Sequence, residues 1–315
     1  MSDSPIHVVA GVIRDAAGRV LVAQRPTGKH LAGFWEFPGG KSDPGEAPLD
    51  ALRRELAEEL GIRVEAAAPL ISVPWTYPEK RIVLDAWLVI AYAGDVHARE
   101  QQAFRWVELA DLASLPMPPA DVPIATALRL PDRYLITPPL APHERDVLLD
   151  GIERACVAGI RLIQLRQPTW TRSEIESSAS PAHAICARHG AALLMNGDFG
   201  IAMRCALAGV HVPARVARTL DGRPVPADRW FGVSCHDADE LAHAARIGAD
   251  FVTLSPVAPT PTHPDARPLG WQRFAALTAD ASMPVYALGG LGDTDIATAR
   301  NLGAQGVAAI RAFWP

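Results

Sequence analysis

The sequence predicts two α/β domains in tandem, the second a compact (β/α)8 barrel of the TIM type, and three observations predict it. The chain has 315 residues, two domains at roughly 150 residues each. Prolines crowd between Leu115 and Pro142, at 116, 118, 119, 123, 131, 138, 139 and 142. Proline removes donors and stiffens the backbone, so this stretch reads as a linker, and the boundary falls near Pro131. The patterning also changes there. Domain one, residues 1–130, mixes long β-rich runs with a helix, and domain two, 131–315, alternates short apolar runs with helices.

In the first domain Ile6–Arg14 and Arg19–Arg25 are β-rich and joined by the turn signal Asp15-Ala-Ala-Gly18. Leu49, Leu52, Leu56 and Leu60 recur at three and four residues, so 49–60 is an amphipathic helix. Pro48 suits its first position and Gly61 its stop. Arg81–Tyr92 is a long β-rich run, Phe104–Val107 a short one, and Ile124–Leu130 a short helix. In the second domain the strand candidates are Tyr134–Thr137, Leu162–Leu165, Ala192–Asn196, Gly209–Val212, Phe231–Ser234, Phe251–Ser255, Val285–Leu288 and Gly306–Ile310. Helical stretches such as Glu240–Ile247 and Asp295–Leu302 separate most of them, while the fourth-to-fifth link is poor in helix. A doubly wound open sheet is the alternative for this domain.

Composition narrows the function classes. The chain is 49% hydrophobic and 21% charged, enough to bury a core. A net charge of -5 argues against direct DNA binding, which needs a basic surface. No apolar run approaches the roughly 18 residues of a membrane span, and no basic-then-apolar leader opens the chain. Cys156, Cys186, Cys205 and Cys235 lie far apart, which suits reduced thiols in a cytoplasmic protein.

The strongest chemical signal is Gly40-Lys-Ser-Asp-Pro-Gly-Glu46 followed by Arg54-Glu55-Leu56-Ala57-Glu58-Glu59-Leu60-Gly61-Ile62. At about 100° per residue, Glu55 and Glu59 sit roughly 40° apart on one helix face, with Glu58 adjoining. Like charges at this spacing repel, and no lysine sits nearby to relieve them. Carboxylate oxygens suit Mg²⁺ or Mn²⁺, which keep waters and share substrate phosphates.

These residues match every fixed position of the Nudix box, and residues 5–130 resemble Nudix hydrolases of the MutT, 8-oxo-dGTP diphosphatase type. The resemblance implies an αβα sandwich with a mixed sheet and hydrolysis of a phosphoanhydride bond in a nucleotide. It implies metal ligands at Glu55, Glu58, Glu59 and the Gly39 carbonyl, with Arg54 and Glu46 holding those carboxylates in register. It places nucleotide contacts at Arg25, His30, Glu36, Phe37, Pro38 and Gly39, a general base at Glu100, and the base-reading position at Asp121. The family often has Asn there; Asp lacks the amide donor unless its carboxyl is protonated.

In the second domain, Tyr134-Leu-Ile-Thr-Pro138, Ile163-Gln-Leu-Arg166, Asn196, Gly232-Val-Ser234, Leu254-Ser-Pro-Val-Ala-Pro-Thr-Pro-Thr262 and Ala287-Leu-Gly-Gly290 occur in that order. Together they resemble the thiamin phosphate synthase/TenI family. The resemblance implies a ligand site at Arg166, Asn196, His263, Gly289 and Gly290 for a phosphorylated thiazole or pyrimidine. Four positions depart from the synthase pattern: Pro168 for a basic residue, Gly197 for an acidic one, Val212-Pro-Ala-Arg215 for a carboxylate-bearing segment, and His263 for lysine. A diphosphate–metal site needs those charges, so synthase activity is not expected. The expected function is nucleotide-pool sanitation by the first domain. The alternatives are a bifunctional thiamin-pathway protein, with thiamin phosphate synthesis or tautomerisation by His211, His236 or His263, or a barrel that only binds ligand or assembles.

Overall fold

The computed structural model describes residues 4–28, 30–97, 99, 102–260 and 266–315. The chain divides into two compact units, Met1–Arg129 and Leu130–Pro315.

The first unit runs β1 (Ile6–Val12), β2 (Val20–Gln24), β3 (Trp35–Glu36), β4 (Gly39–Lys41), α1 (Pro48–Leu60), β5 (Arg63–Tyr77), β6 (Lys80–Ala93), β7 (Phe104–Val107) and α2 (Val122–Arg129). One sheet has the order β4-β1-β6-β5 and a second β3-β2-β7. The first is mixed: β1 is parallel to β6 and antiparallel to β4. Successive β1 side chains point to opposite faces and feed two cores. Val9 joins Ala51, Leu52, Leu56 and Leu60 of α1, whereas Ala10 and Val12 join Ile124 and Ala127 of α2. A helix on each side makes the αβα sandwich.

Helix α1 has Pro48 in its first turn, and Gly61 ends it at φ +73°, its N–H bonding the Ala57 carbonyl. A Cβ on Gly11 of β1 would lie 2.7 Å from Leu56 Cδ1, so glycine lets this helix approach the sheet closely.

Two expectations need correction. The prolines after Leu115 do not form a linker. Met117, Ala120 and Asp121 are buried, the Pro116 carbonyl accepts from the Trp35 N–H, and α2 follows at once. The sequence reading also omitted β5. Pro69 and Pro74 break its alternation, and its register with β6 shifts three times. Both prolines are tolerated because β5 is an edge strand.

The second unit runs β8 (Arg133–Ile136), α3 (Arg145–Val157), β9 (Leu162–Leu165), α4 (Arg172–Arg188), β10 (Ala192–Asn196), α5 (Phe199–Arg204), β11 (Gly209–Val212), α6 (Ala214–Ala217), β12 (Trp230–Cys235), α7 (Ala238–Arg246), β13 (Phe251–Leu254), α8 (Gly270–Ala279), β14 (Val285–Leu288), α9 (Ile296–Asn301) and β15 (Gly306–Ala309). All eight strands pair in parallel, and β15 returns to β8 through Ala308 opposite Tyr134. That closure excludes the open sheet. The helix-poor link is the four-residue α6. Inside the barrel Tyr134, Leu162, Leu194, Phe251, Tyr286 and Ala308 form one apolar cluster. The Tyr134 ring lies 5.6 Å from Phe251 and 5.5 Å from Tyr286, so the barrel is filled, not hollow. Among the described residues no helix is long and apolar enough to cross a membrane.

Candidate functional site

The turn from β4 into α1 puts the helix carboxylates against backbone. Gly39 N–H donates to Glu59 Oε2 at 3.0 Å. A Cβ on Gly39 would lie 2.1 Å from the Val9 carbonyl oxygen, and its φ of +150° also suits glycine. A Cβ on Gly40 would lie 2.2 Å from Glu55 Oε2, so glycine there leaves room for that carboxylate. Glu55 and Glu59, with Gly39 and Gly40, line a cavity of about 550 Å³.

Arg54 changes the electrostatic argument. Its guanidinium bonds Glu46 at 2.9 and 3.0 Å, Glu55 at 2.8 Å, Glu58 at 3.4 Å and the Lys41 carbonyl at 3.0 Å. The Arg54 hydrogen bond, helped by the Asp43 N–H, holds the Glu46 carboxyl below its ordinary range. Arg54 of the same helix thus relieves Glu55 and Glu58, in the register-holding place the resemblance implied, while Glu59 accepts from the Gly39 N–H. Glu58 lies on the outer side: its side chain is 58% exposed and it does not face the cavity. Glu55 and Glu59 fit a hard divalent cation, because the Gly40 cradle and the open cavity leave room for waters and phosphate oxygens. Among the described residues no three His, Cys, Asp or Glu gather into a group that could hold a metal ion.

The same cavity is lined by Arg25, His30, Glu36, Phe37 and Asp121. Arg25 is ion-paired with Glu36, and its Nε donates to the His30 carbonyl at 2.8 Å. The His30 side chain is 45% exposed, 3.6 Å from Glu79 and edge-on to Tyr77. The Pro38 carbonyl accepts from the Gly11 N–H, which ties the loop to β1. Phe37 N–H donates to Asp121 Oδ1 at 3.1 Å. Burial, aided by the nearby Glu36 charge, pushes the Asp121 carboxyl up to about 8, so it is neutral at pH 7. Glu100 lies outside the described residues. The sequence reading missed Tyr77 and Lys80, which line the cavity from the ends of β5 and β6. The Tyr77-Pro-Glu-Lys80 turn between two β runs was the available signal.

A second cavity, of about 770 Å³, opens at the carboxyl ends of the barrel strands. Arg166, Asn196, Gly289 and Gly290 line it, together with Ser234, His236, Arg215 and Arg311. His263 lies outside the described residues. Asn196 Nδ2 donates to Gln164 Oε1 at 2.8 Å, and Gln164 Nε2 donates to the Tyr134 hydroxyl at 2.8 Å. His211 is buried; desolvation lowers its pKa to about 3, so the ring is neutral, with Nε2 2.9 Å from Ser234 Oγ. His236 Nδ1 lies 2.8 Å from Glu240 Oε2, and Glu240 is also paired with Arg218. Asp198, the acid one place beyond the family's position, caps α5 at Ile201 N–H and pairs with Arg172 at 2.9 Å; it does not face the cavity.

Fold and site together define a two-domain phosphate-chemistry protein: a glycine-loop-helix sandwich followed by a TIM-type barrel. Residues 9–127 match the NUDIX domain family and residues 133–313 the thiamine monophosphate synthase family. The 8-oxo-dGTP diphosphatase of Proteus vulgaris is 43% identical over 96 residues, covering 30% of this chain and 86% of that protein. The CTP pyrophosphohydrolase of Escherichia coli (strain K12) is 40% identical over 122 residues, 39% of this chain and 90% of that protein. A thiamine-phosphate synthase of Thioalkalivibrio sulfidiphilus is 32% identical over 191 residues, 59% of this chain and 88% of that protein. The chain thus belongs to both families, a Nudix hydrolase of phosphoanhydride bonds fused to a member of the thiamine monophosphate synthase family.

Proposed function

We propose that the first unit is a magnesium-dependent nucleoside triphosphate pyrophosphohydrolase that converts 8-oxo-dGTP or related oxidised purine nucleotides to monophosphate and pyrophosphate. The observation that carries this reading is one cavity lined by Glu55, Glu59 and the buried Asp121, whose carboxyl burial pushes up to about 8. Mg²⁺, when bound, would supply charge to offset phosphate oxygens and activation of water. The protein's own part is to hold Glu55 with Arg54, hold Glu59 with the Gly39 N–H, and present Asp121 to the base. The relatives named above, an 8-oxo-dGTP diphosphatase and a CTP pyrophosphohydrolase, support a nucleotide substrate.

A neutral carboxyl offers one donor and one acceptor. It complements the O6 and N7–H edge of 8-oxoguanine. It does not complement unoxidised guanine, whose O6 and N7 both accept. The same carboxyl complements N3 and N4–H₂ of cytosine, so CTP is the second substrate this geometry favours. The test is pyrophosphate release from 8-oxo-dGTP, dGTP and CTP with Mg²⁺. Glu55→Gln with Glu59→Gln should lower turnover by about 100-fold or more; unchanged turnover overturns the assignment.

For the second unit we infer a site for a phosphorylated heterocycle without thiamin phosphate synthesis. Among the described residues no carboxylate lines that cavity to hold a metal–diphosphate pair. Expression of the full chain in a strain lacking thiamin phosphate synthase should give no growth without thiamin; growth overturns this reading. A tautomerase role is favoured by one observation, the Glu240 carboxylate behind His236. If it holds, His236→Asn abolishes isomerisation of a thiazole phosphate; if the variant isomerises as fast as wild type, His236 is not the base.

A further inference from the structure

Three arginines line the barrel cavity, and only Arg166 belongs to the family resemblance. Arg166 follows β9, Arg215 lies in α6 just after β11, and Arg311 follows β15. In the barrel order β15-β8-β9-β10-β11 they fall on every second strand. Strands about 4.8 Å apart place Arg166 roughly 10 Å along the rim from each of the other two attachment points, while β11 and β15, four strands apart in a barrel of eight, put Arg215 and Arg311 on opposite sides of the mouth. Among the described residues no Asp or Glu lines the cavity, and none of the three guanidiniums pairs with a carboxylate. Arg166 is partly buried, and that burial works against its charge. Three like charges facing one cavity repel each other and repel any cation that enters. Arginine also presents a fixed fork of donors that grips phosphate oxygens in pairs.

From this juxtaposition we propose that the barrel cavity is a metal-independent site for an organic phosphate carrying at least two anionic groups. Arg166 and Arg215 meet one group, and Arg311 meets the other beside Gly289 and Gly290. Here the arginines replace the carboxylate-held cation that a diphosphate otherwise needs. The proposal rests on reading this cavity as a phosphate-ester site and adds that the charge is met without metal.

Inorganic pyrophosphate is the probe, titrated calorimetrically into the intact protein in EDTA and then in Mg²⁺. Because the first unit releases pyrophosphate, the barrel component is defined as the binding lost in Arg215→Ala with Arg311→Ala. Unaltered far-UV dichroism and melting establish that these variants fold, and the glutamine variants serve if alanine does not. Binding in EDTA should persist, within about threefold of its strength in Mg²⁺, and each single substitution should weaken it about 10-fold. Barrel-dependent binding only in Mg²⁺ overturns metal independence and leaves the phosphate-ester reading standing. No binding under either condition overturns both. Binding in EDTA that the substitutions leave unweakened places the anion elsewhere and overturns the arginine assignment.

Discussion

Asp121 shows how much one charge state can decide. Its carboxyl, ordinarily ionising near 3.8, keeps its proton up to about pH 8 because it is buried and lies near the Glu36 charge, with the Phe37 N–H and Arg25 partly offsetting them. Two pH effects follow, with definite signs. Turnover of 8-oxo-dGTP should fall as pH rises through about 8, where the donor needed by O6 is lost. The folded state also holds a proton that the unfolded chain has released between about 4 and 8. This residue's stabilisation is therefore full below about pH 4 and declines as pH rises toward 8. Asp121→Asn supplies the donor permanently, so both pH–rate and pH–stability curves should flatten across that window. A variant with the wild-type alkaline fall would show that another group titrates. Arg54 is the other decisive residue, because it holds Glu55 and Glu46 at once. Arg54→Ala should lower kcat by about 10- to 100-fold without loss of nucleotide binding; full activity would mean that Glu55 needs no anchor.

At the scale of elements, α1 and the turn before it carry both packing and chemistry. Leu56 is fully buried, and Leu56→Ala should cost about 2–5 kcal/mol in denaturant titrations. Gly40→Ala should disable the site with a smaller loss of stability, since the new methyl would occupy the space of the Glu55 carboxylate. Equal activity in that variant would show that Glu55 does not need this position. This helix was legible in the sequence because its stripe, proline start and glycine stop are local signals. The barrel strands were legible for a related reason: buried parallel strands are short apolar runs, and four of the eight, among them Leu162–Leu165 and Val285–Leu288, have the bounds read from sequence, while the other four lie within one residue of them at each end. Strand β5 was not legible, because its prolines are acceptable only at a sheet edge, and edges are set by partners distant in sequence. The neutral state of Asp121 was equally hidden. It depends on burial by Phe37 and Tyr77 neighbourhoods that no local pattern announces. That Arg215 and Arg311 line one cavity required barrel closure, which brings β15 back beside β8.

At the scale of the whole molecule, each unit encloses its own cores. The clusters around α1 and α2 draw only on residues up to Leu128, and those of the barrel only on residues from Leu130 onward. Apolar burial is the main stabilising term, and here it is closed separately within each unit. Calorimetry should accordingly show two unfolding transitions, so no single unfolding free energy describes the chain. A ligand raises the transition of the unit that binds it, by about 2.7 kcal/mol at one hundred times its Kd. Mg²⁺ with a non-hydrolysable nucleotide should raise one transition, and Leu56→Ala should lower that same one. Pyrophosphate in EDTA should raise the other, through the arginines of the barrel. One transition that moves with every ligand and every substitution would mean that the two cores unfold as a single cooperative unit.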